Sequence, residues 1–468
     1  MKIKQIPSTR LEHNGRRLDC GPYMSGSIED RELLSKIPTS PLKELTAGFN
    51  GGIYNGPQFV RNYVTDPEHG VPFLTTSSML HSDLSTLPLL SKSDAFSKNL
   101  RYLKIEEGMT LITCSGSIGR MAFSRKAMVG AWSNQDIMKV VADPGHVLPG
   151  YLHAYIAGRF GVPLIVSGTY GAVIQHIEPH HISNLPVPRL GTIEQAAHKL
   201  VQQAADELSE SSFLIVAATN SLFEQAGLQE SLNHKYLDDD RRQGWTESSF
   251  NAFSLRALNY DPRAKDLWDA IMSIKHDRLG DVVDRSNFEG HIVFKRIDAD
   301  PEYGIRLVGQ RDAFQLRPEG RWISKKSIEG LGLQVPPGTT IIPCHGTFGE
   351  SELYCRATLV TERTSQYAYS GDFYRCIPKD GAITSGYLYA FLRSRFAFRM
   401  IRSISTGSKQ QYQHPVLMAN MPIPRLNVEK EQEIAAMVDR AGYLRDHALE
   451  LEDQAVALVE RTIEGGGR

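Results

Sequence analysis

The chain has 468 residues, 41% hydrophobic and 22% charged, with a net charge of −1. That composition excludes a disordered or low-complexity polymer, and the length exceeds the roughly 250–300 residues at which one core usually stops growing. The near-zero charge counts mildly against a stand-alone nucleic-acid binder, although a basic face can be offset by acidic helices elsewhere.

The chain opens on Met1-Lys2-Ile3-Lys4-Gln5-Ile6-Pro7, which lacks the apolar core and cleavage site of a signal peptide. With no run of about 18 apolar residues either, the expectation is a cytoplasmic protein without a membrane span. A short helical pattern covers Glu29–Ile37. Asp66-Pro67-Glu68-His69-Gly70 reads as a turn, Asp starting it and Gly taking positive φ. Met109–Cys114 is a β-rich run ending in a glycine turn, Ile137–Ala142 a further strand, and Tyr151–Phe160 a helix opening just after a glycine. Pro186-Val187-Pro188-Arg189 is extended, because proline fixes φ and pushes its neighbour out of the helical region. A long helix follows from Thr192, the expected N-cap, with Gln195 at the capping-box position. Ile193, Ala197, Leu200, Val201, Ala204 and Leu208 form its apolar stripe. Glu224–Phe250, with Asp238-Asp239-Asp240-Arg241-Arg242, is a polar, acidic connector.

The same series then runs again: a helix at Ala264–Ile274, strands at Thr339–Cys344 and Phe373–Ile377, a helix over Tyr387–Ile401, and extended Pro422-Ile423-Pro424-Arg425. The second long helix, Val428–Thr462, spans about 50 Å at 1.5 Å per residue. Its stripe is Ile434, Val438, Ala441, Ala448, Leu451, Ala455 and Leu458, at heptad-like spacing. The best partner for so long a stripe is the other long helix, which predicts an antiparallel pair. Gly465-Gly466-Gly467-Arg468 reads as a frayed tail.

The likeness of the two halves extends to residues. Asp66-Pro67-Glu68-His69-Gly70-Val71 recurs as Asp300-Pro301-Glu302-Tyr303-Gly304-Ile305, and Phe59-Val60-Arg61 as Val293-Phe294-Lys295, at an offset of 234. Gly108-x-Thr110-Leu111-Ile112-x-Cys114-x-Gly116 matches Gly338-x-Thr340-Ile341-Ile342-x-Cys344-x-Gly346 at 230. Gly150-Tyr151-Leu152, Gly171, Gln175 and Leu185-Pro186-Val187-Pro188-Arg189-Leu190 match Gly386-Tyr387-Leu388, Gly407, Gln411 and Met421-Pro422-Ile423-Pro424-Arg425-Leu426 at 236. Preserved order with a slowly drifting offset marks an internal duplication of one unit of about 235 residues. Ser77–Lys98 and Asp312–Ser327 share little, so these stretches are where the copies could differ in what they bind.

Catalytic patterns are missing. Pro336-Pro337 sits between Val335 and Gly338, without the Asn or Asp and the aromatic residue of a base-flipping methyltransferase loop. No phosphate-cradling Gly-x-x-x-x-Gly-Lys-Ser/Thr occurs. Ser115-Gly116-Ser117-Ile118-Gly119 reads as a tight turn after a strand rather than a dinucleotide site. His176, His180 and His181 suggest metal ligands less than structure, because the second copy has Tyr412 in place of His176. The carboxylates of Asp66, Glu68, Asp300 and Glu302 lack a third partner that would make a nuclease. Neither cofactor nor metal is expected. Of Cys20, Cys114, Cys344, Cys355 and Cys376 none makes a C-x-x-C pair, so reduced, buried thiols are expected.

Side chains that read base edges and phosphates are present. In the first copy they are Arg101, Lys104, Arg120, Arg125, Asn134, Gln135, Thr169, Tyr170 and Gln175. In the second they are Arg311, Arg317, Lys325, Lys326, His345, Gln366, Lys409, Gln410, Gln411 and Tyr412. Each is weighed against an ordinary solvated surface role.

With these residues in view, the chain resembles the DNA specificity (S) subunits of type I restriction-modification systems. The resemblance is carried by Ile112-x-Cys114-x-Gly116-x-Ile118-Gly119, by Gly168-x-x-Gly171-x-x-x-Gln175, by Leu185-Pro186-Val187-Pro188 leading into a long helix, and by the second copy of each. Arg16-x-Leu18-Asp19-x-x-Pro22 and Arg256-x-Leu258-Asn259-x-Asp261-Pro262 look like the family's opening segments. The resemblance implies an α+β protein with two tandem target-recognition domains, mixed α/β heads separated by two long antiparallel, coiled-coil-like spacer helices in a pseudo-twofold arrangement. The expected division is 1–190 for the opening segment and first recognition domain, 191–225 for the first spacer helix, 226–254 for the connector, 255–426 for the second recognition domain and 427–463 for the second spacer helix. It also implies partners: double-stranded DNA, two methyltransferase subunits and restriction/translocase subunits. The family has no catalytic residues of its own. The long acidic connector departs from a compact family member. Rival readings are an enzyme with an unrecognised site and a two-headed protein adaptor.

Overall fold

The computed structural model describes residues 3–13, 21–24, 26–167, 176–229, 254–284, 292–349 and 352–466. The chain forms two compact units. The first comprises Met1–Leu80, Leu87–Ser209 and His447–Arg468, and the second His81–Thr86 and Glu210–Asp446. The long helices Thr192–Gln225 and Val428–Glu464 each contribute one half to each unit. No helix among the described residues is long and apolar enough to cross a membrane.

In the first unit, strand Thr110–Thr113 is the centre of a four-stranded antiparallel sheet, with Met121–Phe123 on one side and Ile137–Val140, then Ile53–Tyr54, on the other. A second sheet pairs Gly70–Leu74 antiparallel with Leu89–Ser91 and parallel with Trp132–Ser133. The second unit repeats this plan. Thr340–Pro343 lies between Thr358–Leu359 and Phe373–Cys376, and Gly304–Val308 between Arg321–Ser324 and parallel Ala368–Tyr369. Even the parallel register repeats: Phe73 faces Trp132 and Leu74 faces Ser133, as Leu307 faces Ala368 and Val308 faces Tyr369.

The Pro-x-Pro segments are edge strands, where a missing N–H costs no ladder bond. Pro186–Pro188 pairs with Thr39–Pro41, and Pro422–Pro424 with His276–Arg278. Tyr151 and Tyr387 each donate a hydroxyl hydrogen bond to the second proline carbonyl, Pro188 or Pro424. Beside these tyrosines, Gly150 and Gly386 pack against the long helices. A Cβ on Gly386 would lie 2.7 Å from the Ala435 carbonyl oxygen, and one on Gly150 2.8 Å from His198 Nδ1. Both glycines lie inside their helices, Pro149–Ala157 and Ser385–Leu392, not ahead of them.

Two sequence expectations shift here. The helix expected over Tyr387–Ile401 is two helices, Ser385–Leu392 and Arg395–Ser403, because Ser394 caps the second by accepting from Ala397 N at 3.0 Å. Gly70 and Gly304 do not take positive φ. They open strands at points of close approach: a Cβ on Gly70 would meet Leu89 Cβ at 2.6 Å, and one on Gly304 the Asp300 carbonyl at 2.9 Å. Asp66 does start its turn, its Oδ1 accepting from Glu68 N at 2.8 Å.

Each unit has a main core built on a half of each long helix. In the first, Ala197, Val201 and Ala205 join Ala455, Val459 and Ile463 around Tyr151, Leu152 and Ile112. In the second, Ala218, Leu222 and Phe223 join Ile434, Ala435 and Val438 around Tyr387, Leu388 and Ile342. The helix starts are clamped by carboxylates, though not by Gln195. Glu194 accepts from Leu190 N and pairs with Arg189, and Glu431 accepts from Leu426 N and pairs with Arg425. The first helix ends in a Schellman motif at Gly227 (φ 70°), with Leu228 N–H bonding to the Phe223 carbonyl at 2.8 Å. Beyond Gln229 the connector lies outside the described residues until 254.

Candidate nucleic-acid interface

In both units the loop-bearing end of the central sheet is built on the same three residues: a cysteine, an aspartate and a buried cation. Cys114 N bonds to the Asp136 carbonyl and Cys344 N to the Asp372 carbonyl, both at 2.9 Å. Three residues after each aspartate comes a buried base, Lys139 or Arg375. Lys139 donates to the Ile137 carbonyl, with its ammonium 5.5 Å from the centre of the Tyr54 ring. Arg375 donates to the carbonyls of Phe373, Tyr369 and Ser370. Burial pushes the Lys139 ammonium down to about 7 and the Arg375 guanidinium down to about 10. It pushes the thiols of Cys114, Cys344, Cys355 and Cys376 up to about 12, so these buried, free thiols are not nucleophiles. Cys20 lies outside the described residues.

In the first unit, Arg101 and Lys104 stand exposed around the short 3₁₀ turn Arg101–Leu103. Arg120 is half-buried behind the glycine turn, its N–H bonding to Thr113 Oγ1 at 3.1 Å. That turn is as read from sequence, with Gly116 and Gly119 both at positive φ. Gln135 is half-buried and bridges Arg61 and Asp136, at 3.1 and 3.0 Å. Asn134 is a correction: it is 4% exposed, its amide turned to Asp136, and does not present itself to a ligand. Arg125 is a second, at 2% exposure, its guanidinium pushed down to about 10 by burial. Thr169, Tyr170 and Gln175 fall outside the described residues.

The second unit shows the matching loop. Ser405–Thr406 and Gln411–Gln413 form a hairpin whose outer partner is His345–Gly346. This brings together His345, Lys409, Gln410 and Tyr412. Lys409 and Gln410 are exposed at the tip, after Gly407 (φ 91°), and Tyr412, 45% exposed, faces His345 in the ladder. Gln411 is the third correction. It is 4% exposed and braces the hairpin from inside, accepting from Arg256 at 2.6 Å. The opening segment thus supports the loop: Arg256 also bonds to the Ser405 carbonyl, and Asn259 to those of Ser403 and Ser405.

The remaining candidates sit on other elements. Arg311 precedes the 3₁₀ turn Asp312–Phe314, Arg317 is exposed in the loop after it, and Lys325 and Lys326 are exposed after strand Arg321–Ser324. Gln366 bonds to the Arg363 carbonyl in a turn tied to Asp446 of the second long helix. Sequence reasoning missed Arg61 and Gln310. Arg61 was visible only as part of a framework anchor. Gln310 bonds to the Asp372 carbonyl at 2.9 Å, beside His345, whose ring nitrogen lies 3.9 Å from the Asp372 carboxylate. Its place a few residues after the repeated anchor Gly304-Ile305 was the available signal.

The histidine group has a structural use. His181 Nδ1 accepts from Glu178 N at 2.9 Å, capping the short helix Pro179–Ile182. Among the described residues no group of three or more His, Cys, Asp or Glu side chains could hold a metal ion.

No protein-family model and no curated protein matches this chain. Among solved structures, the type I restriction-modification system S subunit from M. genitalium aligns at 12% identity and a TM-score of 0.32, over 92% of this chain and 94% of that one. The HsdS subunit from Thermoanaerobacter tengcongensis aligns at 13% identity and a TM-score of 0.26, over 92% and 97%. A structure described as the basis of complex assembly and conformational transition of the type I R-M system aligns at 13% and 0.26, over 92% and 98%.

Proposed function

We propose that this chain is a non-catalytic DNA-recognition protein, the specificity subunit of a type I restriction-modification system. Each unit reads one half of a bipartite, asymmetric site in double-stranded DNA. The observation that carries the reading is the repeated framework with divergent loops. The sheets of the two units share strand order and register, while the residues at their ends differ: exposed Arg101 and Lys104 with half-buried Gln135 in one, half-buried His345 with exposed Lys409, Gln410 and Tyr412 in the other. Two similar scaffolds with dissimilar contact residues are what an asymmetric target requires.

On this reading the long helices form an antiparallel spacer that sets the gap between half-sites and docks two methyltransferase subunits, with restriction/translocase subunits joining them. The chemistry missing from this chain then lies on those partners. A modification-only or other methyltransferase-linked phage-defence system would use the same kind of subunit, and the presence of a restriction gene product in the purified complex separates the two.

Methylome sequencing of a host carrying this chain and its methyltransferase tests the proposal. The expected result is one bipartite methylated motif. Exchanging residues 38–190 for another recognition domain changes one half of that motif and leaves the other intact, and an unaltered methylation pattern after the exchange refutes the modular account. S-adenosylmethionine binding by the isolated chain would favour an enzyme instead.

A further inference from the structure

We propose that Phe49, in the first unit, is a wedge that stacks on a nucleobase at one base step of the recognised duplex. The inference rests on the DNA-recognition reading and adds to it a contact that reads no hydrogen-bonding edge.

The sequence Gly48-Phe49-Asn50-Gly51-Gly52 makes a turn few other sequences could make. Gly48, Gly51 and Gly52 have φ of 107°, 75° and 82°, and Asn50 adopts left-handed φ 47°, ψ 40°. A Cβ on Gly52 would lie 2.6 Å from both the N and the O of Ala47. Thr46 Oγ1 donates to the Gly51 carbonyl at 2.7 Å, tying the turn to its stem. This backbone, costly at Asn50, holds a large apolar ring in water: Phe49 is 51% exposed.

The ring is backed on one face, and half of its surface stays in water. Tyr102 stacks against it with centroids 4.0 Å apart and planes within 10°, and Tyr54 meets both rings edge-on. Tyr102 belongs to the turn Arg101–Leu103, so Arg101 and Lys104 flank it in the chain. Both cations are exposed, and their side chains make no hydrogen bond or ion pair among the described residues. A rigid ring with a supported back and an open front, beside two uncommitted cations, has the chemistry of a base-stacking element with phosphate contacts next to it. A protein-docking ring would not need the cations, and a core ring would not be half in water.

The test uses the full chain with its methyltransferase partner, on the duplex that methylation mapping identifies, with 2-aminopurine placed at successive steps away from the methylated base. The expected result is a fluorescence rise at one step of the first unit's half-site. Phe49→Ala abolishes the rise and weakens binding roughly tenfold, the loss of one base–aromatic stack. Phe49→Trp retains both, and matched melting curves show that the alanine variant folds. Wild-type affinity and fluorescence in Phe49→Ala, or no responsive step in a wild-type complex that binds specifically, overturns the wedge. Lost methylation with unchanged DNA affinity also overturns it, by assigning the ring to a protein contact. If the wild type binds no DNA specifically, the recognition reading itself fails.

Discussion

Lys139 and Arg375 hold the same place in the two units: each is a fully embedded cation on the strand beside the central one, donating back to the carbonyl two residues earlier, that of Ile137 or Phe373. The match lies 236 residues apart in sequence and survives a change of side chain. Arginine makes three carbonyl contacts where lysine makes one, because its planar fork presents donors in several directions.

This difference gives a pH signature. Lys139 falls to about 7 in the fold, against 10.5 in the unfolded chain, so between these values the unfolded state binds more protons and stability rises with pH. Below about 7 both states are protonated and the burial penalty is fully present. Arg375, lowered to about 10, gives its own rise between that value and the 12.5 of the unfolded chain. We expect the melting temperature of the first unit to climb from pH 7 towards pH 9 and Lys139→Met to flatten that climb. Thermal melts in matched buffers check this. An unchanged slope in the variant contradicts it.

Asp83 and Arg393 are a second linked pair, inside the second unit. Arg393, its side chain 5% exposed, reaches Asp83 Oδ2 at 2.7 Å and 3.2 Å, and also Ser85 and Thr219. Burial pushes the Asp83 carboxyl up, but the guanidinium and the Ser85 hydrogen bonds outweigh it and hold the group at about 2. The pair's contribution is therefore complete above the ordinary value of 3.8 and fades as pH falls towards about 2. Asp83→Asn leaves an embedded cation without its counter-charge, and we expect a loss of about 3 kcal/mol in urea unfolding at pH 7. A double-mutant cycle with Arg393→Met should return a coupling above about 1 kcal/mol. Because Asp83 lies within residues 38–190, a domain exchange should keep His81–Thr86.

Gly386 should not accept a methyl group. Its Cβ would sit 2.8 Å from Ala435 Cα and 2.7 Å from its carbonyl oxygen, both backbone atoms of a long helix that cannot swing aside. Gly386→Ala is expected to cost about 1–3 kcal/mol, read from chemical denaturation. Gly330→Ala is a weaker comparison, because Gly330 has open space around it and only a positive φ of 73°.

The two kinds of exposed residue should fail differently in DNA binding. Arg101→Ala and Lys104→Ala are expected to weaken binding to all sequences alike, each lowering the salt slope by about one. Gln410→Ala should instead relax preference at one position of the second unit's half-site, by about 1–3 kcal/mol of discrimination. Fluorescence anisotropy across a salt series, on matched and single-substituted duplexes, separates the two patterns.

Much of the framework was legible in the residues alone. The extended Pro-x-Pro segments, the glycine turn at Gly116–Gly119 and both long helices follow from local chemistry that acts within a few residues. The binding residues were less legible. Asn134 and Gln411 have the composition of base readers, but a side chain's exposure depends on which segments fold over it. Asp136 claims the first, and Arg256, 155 residues away in the chain, claims the second. Likewise Gly70 and Gly304 were recognisable as required glycines for the wrong reason, since the close approach of Leu89 on the paired strand, or of the Asp300 carbonyl in the preceding turn, sets the need.

That one unit occurs twice follows from preserved residue order and a slowly drifting offset alone. The stripes along the two long helices are likewise a property of residue order. Folding is what brings the segment from His447 onward into the core of the first unit and gives Lys139 and Arg375 equivalent places. The difference is one of range. Turns, caps and stripes are set by neighbours a few residues apart, whereas burial, charge state and close approach are set by segments that meet only once the chain has folded.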